Sequence, residues 1–211
     1  MTPLAHSARA LNRTRPTRPA QAGAGHLRRA LPPLLLMTDP DRLPDPLKAA
    51  EILPCGSGII LRHYNDPHRA LLAMKLSRIC HNRGLVLLVA LDGCLAARVG
   101  AHGVHFPEHA VATAPPWHRR HPDWLITMTA HDSRALRRAA QAGAHAALLS
   151  PVFPTLSHPG KRTLGPLRFA RLTHDSPVAV YALGGINAAN AAQLNRSGAA
   201  GIAGISGIAL G

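Results

Sequence analysis

Acidic residues are scarce in this chain: 10 Asp and Glu stand against 24 Lys and Arg in 211 residues, a formal net charge of +14. That balance favours anionic partners. Aromatic residues are scarce too, with two Trp, two Tyr and three Phe. The basic residues are scattered through helical patterns such as Arg134, Arg137, Arg138 and Arg168, Arg171, with no aromatics between them. Recognition of nucleic acid by base stacking is therefore not expected. The three cysteines, Cys55, Cys80 and Cys94, are odd in number and lack the close pairing of a zinc ribbon or redox dithiol, which points to a reducing, cytoplasmic setting. Histidine is plentiful, but His102, His105, His109, His118 and His121 fall in a short strand and a Pro-interrupted loop without a carboxylate cluster, so they do not read as metal ligands. No apolar run approaches the roughly 20 residues that cross a bilayer, and no membrane partner is expected.

Residues 1–30 hold six arginines and no acid and show no sustained periodicity. They read as an extension outside the fold: a disordered basic arm, a transit-type signal or an over-long translated start. Residues 31–211 have 180 or so positions in which short apolar runs alternate about eight times with longer amphipathic ones, the rhythm of parallel strands crossed by helices in one domain. Strands are predicted near Leu34–Thr38, Ser57–Arg62, Leu85–Ala90, Gly103–His105, Leu125–Met128, Ala144–Leu149, Val178–Leu183 and Gly201–Ala203. Helices are predicted over Asp45–Leu53, Pro67–Arg83, Gly93–Val99, weakly near Trp117, then Ser133–Gly143, Pro166–Leu172, Ala188–Ser197 and as a stub from Ser206. The first strand–helix turn, Met37-Thr38-Asp39-Pro40, has no glycine-rich nucleotide fingerprint, which disfavours an open Rossmann sheet and leaves a closed α/β barrel, the (β/α)8 TIM barrel with a short final helix. A missing last helix would expose apolar surface beside the eighth strand, which a second copy could cover as a homodimer.

The most informative stretch runs from Ser150 to Gly160, followed by Ala182-Leu183-Gly184-Gly185-Ile186-Asn187. Thr155 and Ser157 place two hydroxyls one residue apart beside a potential cation, His158, after an apolar strand. Gly184 and Gly185 end the next strand and open a helical pattern, where unhindered amides favour an anion. In a barrel, phosphate tends to sit in the loops after strands seven and eight, and Gly184-Gly185 and Gly204-Ile205-Ser206 occupy those loops.

With these pieces in order, the chain resembles the thiamine phosphate synthase and TenI superfamily from about Pro33 to its end. The resemblance rests on Leu36-Met37-Thr38-Asp39, Gly103-Val104-His105, Thr129-Ala130-His131, the Pro151-to-Ser157 loop, Gly184-Gly185-Ile186 and Ala203-Gly204-Ile205-Ser206. It implies a barrel enzyme of thiamine synthesis that handles a thiazole phosphate. Thr155, Ser157 and His158 would lie against that substrate, with its phosphate on Gly184, Gly185, Ile205 and Ser206 and Thr129 near a pyrimidine. The family's Gln-x-Arg-x-Lys appears as Ile60-Leu61-Arg62-His63-Tyr64, keeping only the arginine. Its Asn-Asp becomes Leu91-Asp92, and its second metal-binding aspartate falls near Ala110, beside Glu108 and His109. His158 stands where a synthase has lysine.

Three functions follow from the resemblance. A TenI-like thiazole tautomerase needs no metal or other cofactor; His131 would move the proton and Arg62 pair the substrate carboxylate. A thiamine phosphate synthase would need Mg2+, with Asp92 as its ligand, to neutralise a pyrophosphate leaving group. A catalytically silent barrel would bind a thiamine precursor or a protein. The losses around Asp92 favour the tautomerase.

Overall fold

The structure, a computed structural model, describes residues 3–14, 30–155, 160 and 162–209. Eight parallel strands pair in sequence order into a closed barrel: β1 (Leu34–Met37), β2 (Gly58–Leu61), β3 (Val86–Ala90), β4 (Gly103–Phe106), β5 (Leu125–Ala130), β6 (Ala146–Leu149), β7 (Ala179–Leu183) and β8 (Gly201–Gly204). The ring closes where Leu35 of β1 faces Ala203 of β8. Both faces of each strand are buried, so the strands read as continuous apolar runs. Leu35, Met37, Ile60, Leu88, Leu148 and Tyr181 fill the lumen. Leu34, Leu36, Ile59, Leu61, Leu87 and Val89 face the helices. The Tyr181 hydroxyl donates to the Pro32 carbonyl at 2.7 Å, pinning the segment before β1 to the barrel floor. Gly201 is required beside it, because a Cβ there would come within 2.1 Å of the Pro33 carbonyl oxygen.

Helices α2 (Pro46–Ile52), α3 (Arg69–Arg83), α4 (Gly93–Arg98), α5 (Pro115–Arg120), α6 (Ser133–Gln141) and α7 (Gly165–His174) follow the strands, and α8 (Ser206–Ala209) is the expected stub. Asp45, Asp92 and Asp132 cap three of them by accepting from Lys48, Leu95 and Ala135 amides. No helix among the described residues is long and apolar enough to cross a membrane.

Two expectations are corrected. The helix predicted over Ala188–Ser197 is only a 3-10 turn, Ala191–Leu194. The Asn187 carboxamide accepts from the amides of Ala189 and Asn190, and the Asn190 side chain bonds both the Asn187 amide and the Gly185 carbonyl. These side chains compete with the backbone for the first helical bonds. The second correction concerns residues 1–30: Pro3–Thr14 form a helix, α1, with Leu4, Ala5, Ala8 and Leu11 buried. It packs on β8, β1 and the Ala191–Leu194 turn, and the Asn12 amide donates to the Ala200 carbonyl at 2.6 Å. Helix α1 thus lies against the outer side of the β1–β8 seam.

The lumen also buries His105, whose ring nitrogens bond Thr127 Oγ1 at 2.9 Å and Thr129 Oγ1 at 3.2 Å. Burial pushes its pKa down to about 3, with the Arg62 charge adding to the effect. His145, just before β6, accepts the Ile126 amide through Nδ1, and burial lowers its pKa to about 4, assisted by His118.

Leu11→Asp places a charge in a site that is 1% exposed; α1 should undock, lowering stability by roughly 2 kcal/mol or more and speeding tryptic cleavage at Arg9 and Arg13. Unchanged protease resistance would show that α1 does not seal the barrel. The histidines predict acid sensitivity. As pH falls below the ordinary histidine value, the unfolded chain takes up protons that folded His105 refuses, so stability is complete above about pH 6.5 and drains away toward pH 3. At pH 5 the loss from His105 is on the order of 2 kcal/mol, measurable as a lower urea midpoint than at pH 7 and reduced in His105→Gln.

Candidate active site

The C-terminal strand ends gather the polar groups. At the end of β1, Asp39 accepts from Arg42 at 2.7 Å and from Arg62 at 2.8 Å. The Arg42 hydrogen bond holds the Asp39 carboxyl below its ordinary value, against the opposing effect of burial. Arg62, just beyond β2, also donates Nε to the Thr38 carbonyl, while its own amide donates to Thr38 Oγ1. Two edges of this guanidinium are thereby fixed, and burial lowers its pKa. Its NH1 edge has no partner among the described residues and is left for an incoming anion.

Tyr64, in the lysine position of the family pattern, is flanked by this arginine and by Arg69, whose guanidinium carbon lies 5.7 Å from the Tyr64 ring centre. Burial raises the Tyr64 pKa, and the charges of Arg62 and Arg69 pull it back. Arg69 donates to the Ala90 carbonyl and sits 3.8 Å from Asp92.

Across the mouth, β4 and β5 are neighbours with Phe106 opposite Met128, so the residues that follow them come together. Glu108 Oε2 accepts from His131 Nδ1 at 2.6 Å, and Oε1 accepts from Arg138 of α6 at 2.5 Å. A carboxylate only accepts, so His131 carries a proton on Nδ1, which leaves Nε2 as the nitrogen not engaged by Glu108. Thr129, one turn of strand below, is anchored to His105.

The sixth and seventh loops form one unit. The amides of Val152 and Phe153 donate to the Leu183 and Gly184 carbonyls. Gly184 and Gly185 have φ of 99° and 67°, and a Cβ on Gly185 would meet the Pro154 carbonyl oxygen at 2.2 Å. Only glycine permits both the left-handed backbone and that approach. The glycine pair does not lead into an α-helix, as the sequence pattern suggested, so its anion preference comes from turn amides and not from a helix end. The eighth loop abuts it, since a Cβ on Gly207 would lie 2.7 Å from the Ile186 carbonyl oxygen. The amides of Gly185, Ile205 and Ser206 find no acceptor among the described residues. Thr155 lies half-buried within the sixth loop. Ser157 and His158 lie outside the described residues.

The donor set does not fit a magnesium ion. Asp92 uses one oxygen to cap α4 and has the Arg69 cation beside the other. Glu108 has both oxygens bonded to cationic or imidazole groups, and no cluster of three metal-ligating side chains exists among the described residues. Asp39, Arg69 and Arg138 were not singled out in the sequence. Asp39 had a signal, its place in the Leu36–Asp39 match; Arg138 and Arg69 reach the mouth from helices and had none.

The family model for thiamine monophosphate synthase matches residues 42–208. A thiamine-phosphate synthase of Methylococcus capsulatus is 30% identical over 158 residues, covering 70% of this chain and 69% of the relative. One of Alcanivorax borkumensis is 31% identical over 163 residues, covering 73% and 74%. The chain spans only 61% and 65% of the length of relatives from Aquifex aeolicus and Thioalkalivibrio sulfidiphilus, each 33% identical. Among solved structures, a thiamine phosphate pyrophosphorylase from Pyrococcus furiosus superposes with a TM-score of 0.69 at 24% identity, over 82% of this chain and 85% of that one, a likeness of fold. The family match, the relatives and the shared barrel together place this chain in the thiamine monophosphate synthase family.

Proposed function

We propose that this chain is a cytoplasmic enzyme of thiamine biosynthesis that holds a thiazole phosphate at the barrel mouth and moves a proton on it without a metal, as a TenI-like tautomerase. The observation that carries this reading is the bonding of Glu108 to both His131 and Arg138. It equips a histidine for proton transfer and withdraws the nearest additional carboxylate from metal binding. In this scheme the phosphate lies on the amides of Gly185, Ile205 and Ser206, and the NH1 edge of Arg62 faces the substrate carboxylate. His131 Nε2 removes one proton from the thiazole ring and returns it elsewhere on the ring, giving the aromatic tautomer with no change in composition. Glu108 stabilises the imidazolium formed in between.

A second reading, thiamine phosphate synthase, is supported by the names of the relatives and by Arg62 and Asp92, which stand in the family's positions. It requires a metal-assisted departure of pyrophosphate, for which the residues around Asp92 are poorly suited.

Two assays separate the readings. Conversion of a thiazole carboxylate phosphate tautomer should proceed in EDTA, fall on the order of 100-fold in kcat in His131→Ala and roughly tenfold or more in Glu108→Gln, with KM little changed. Thiamine phosphate formed from thiazole phosphate, pyrimidine diphosphate and magnesium, with no tautomer conversion, would establish the synthase instead. Ser206→Pro, which removes the Ser206 amide at a first helical position that tolerates proline, should raise KM in either case. Lack of binding of either substrate would leave a silent barrel.

A further inference from the structure

We infer that the cleft between α6 and α7, on the outer wall of the barrel, docks an acidic, partly apolar segment of another protein. As in most neighbouring helix pairs of this ring, α6 and α7 make little direct contact. The space between them is a cleft of about 620 Å3. Arg137 lines it from α6, Arg168 and Arg171 from α7, and all three are exposed. Leu136, Leu172 and Pro177 give it an apolar floor. A second cleft of about 440 Å3 flanks the other side of α7, shares Arg171 and adds Arg196. Leu167, 88% exposed at the start of α7, stands beside them.

The charge here is uncompensated, unlike that of the mouth. Arg42, Arg62, Arg69 and Arg138 each lie against a carboxylate. No described carboxylate forms an ion pair with Arg137, Arg168, Arg171 or Arg196, although Asp175 borders both clefts. The sequence explains this, because Asp175 is the only acid after Asp132. Guanidinium groups over an apolar floor fit carboxylates carried beside aliphatic side chains, each arginine offering a bidentate face.

Charge complementarity selects among occupants. A second copy meeting this face through the same patch would set arginine against arginine. Single-stranded nucleic acid would want a stacking platform, and neither cleft is lined by Trp, Tyr or Phe. An acidic protein segment satisfies both the charge and the floor.

The test uses the full chain and a fluorescein-labelled synthetic peptide of alternating glutamate and leucine, read by anisotropy. Binding should weaken with salt. It should fall on the order of tenfold or more in Arg137→Glu/Arg168→Glu, and less steeply in Arg137→Gln/Arg168→Gln. The control Arg78→Glu/Arg119→Glu makes the same change of net charge on other faces and should bind like the unaltered protein. Melting curves should be unchanged, since the altered side chains are exposed. Equal losses in the cleft and control variants would show general attraction to a basic surface and overturn the proposal. So would absence of peptide binding, or tighter binding of oligothymidylate that disappears in the cleft variants.

Discussion

The pairing of β1 with β8 is the constraint on which the rest of the molecule depends. Three register pairs, Leu34 with Ile202, Leu35 with Ala203 and Leu36 with Gly204, turn an open sheet into a ring. Closure removes two sheet edges and gives eight short strands a common lumen. It also makes the first two loops neighbours of the last two. Arg62 and Asp39, near one end of the sequence, thereby share a mouth with Gly185 and Ser206, near the other. Small residues along the seam make the approach possible, and Tyr181 fills the floor they leave.

Scarcity of acid shapes what this mouth can do. Of its three carboxylates, Asp39 binds two arginines, Asp92 caps a helix beside a third, and Glu108 is divided between His131 and Arg138. Each carboxylate orients positive or proton-bearing groups, which leaves the open donors of the site, the Arg62 edge and the amides of Gly185, Ile205 and Ser206, directed at anions. The same scarcity leaves the outer arginines of α6 and α7 without partners, so one compositional bias produces a balanced mouth and an unbalanced wall.

The barrel was legible in the sequence because strands buried on both faces are short, mostly apolar and separated by amphipathic segments; β3 and β7 fall within a residue or two of their expected bounds. The glycine pair was legible because its conformation excludes other residues. Helix α1 was not, because Leu4, Ala8 and Leu11 have helical spacing but stand at the head of a long arginine-rich stretch with no acidic start, and docking, more than local propensity, stabilises so short a helix. Glu108 was seen only as a stand-in metal ligand. Its true partners lie 23 and 30 residues away, and nothing local in a sequence encodes which carboxylate meets which histidine across adjacent strand ends.

Helix α1 ties one end of the chain to the other: Asn12 bonds a carbonyl 188 residues later. At ribosomal speeds of about 5–20 residues per second, an emerging α1 waits on the order of ten seconds or more for β8 to exist. Until then its apolar face has no native surface, and neither does the unclosed edge of β1. An element made before every strand of the barrel is therefore among the last to dock, so the order of synthesis and the order of burial run in opposite directions for α1. A chaperone with affinity for apolar helices would find its opportunity in that interval.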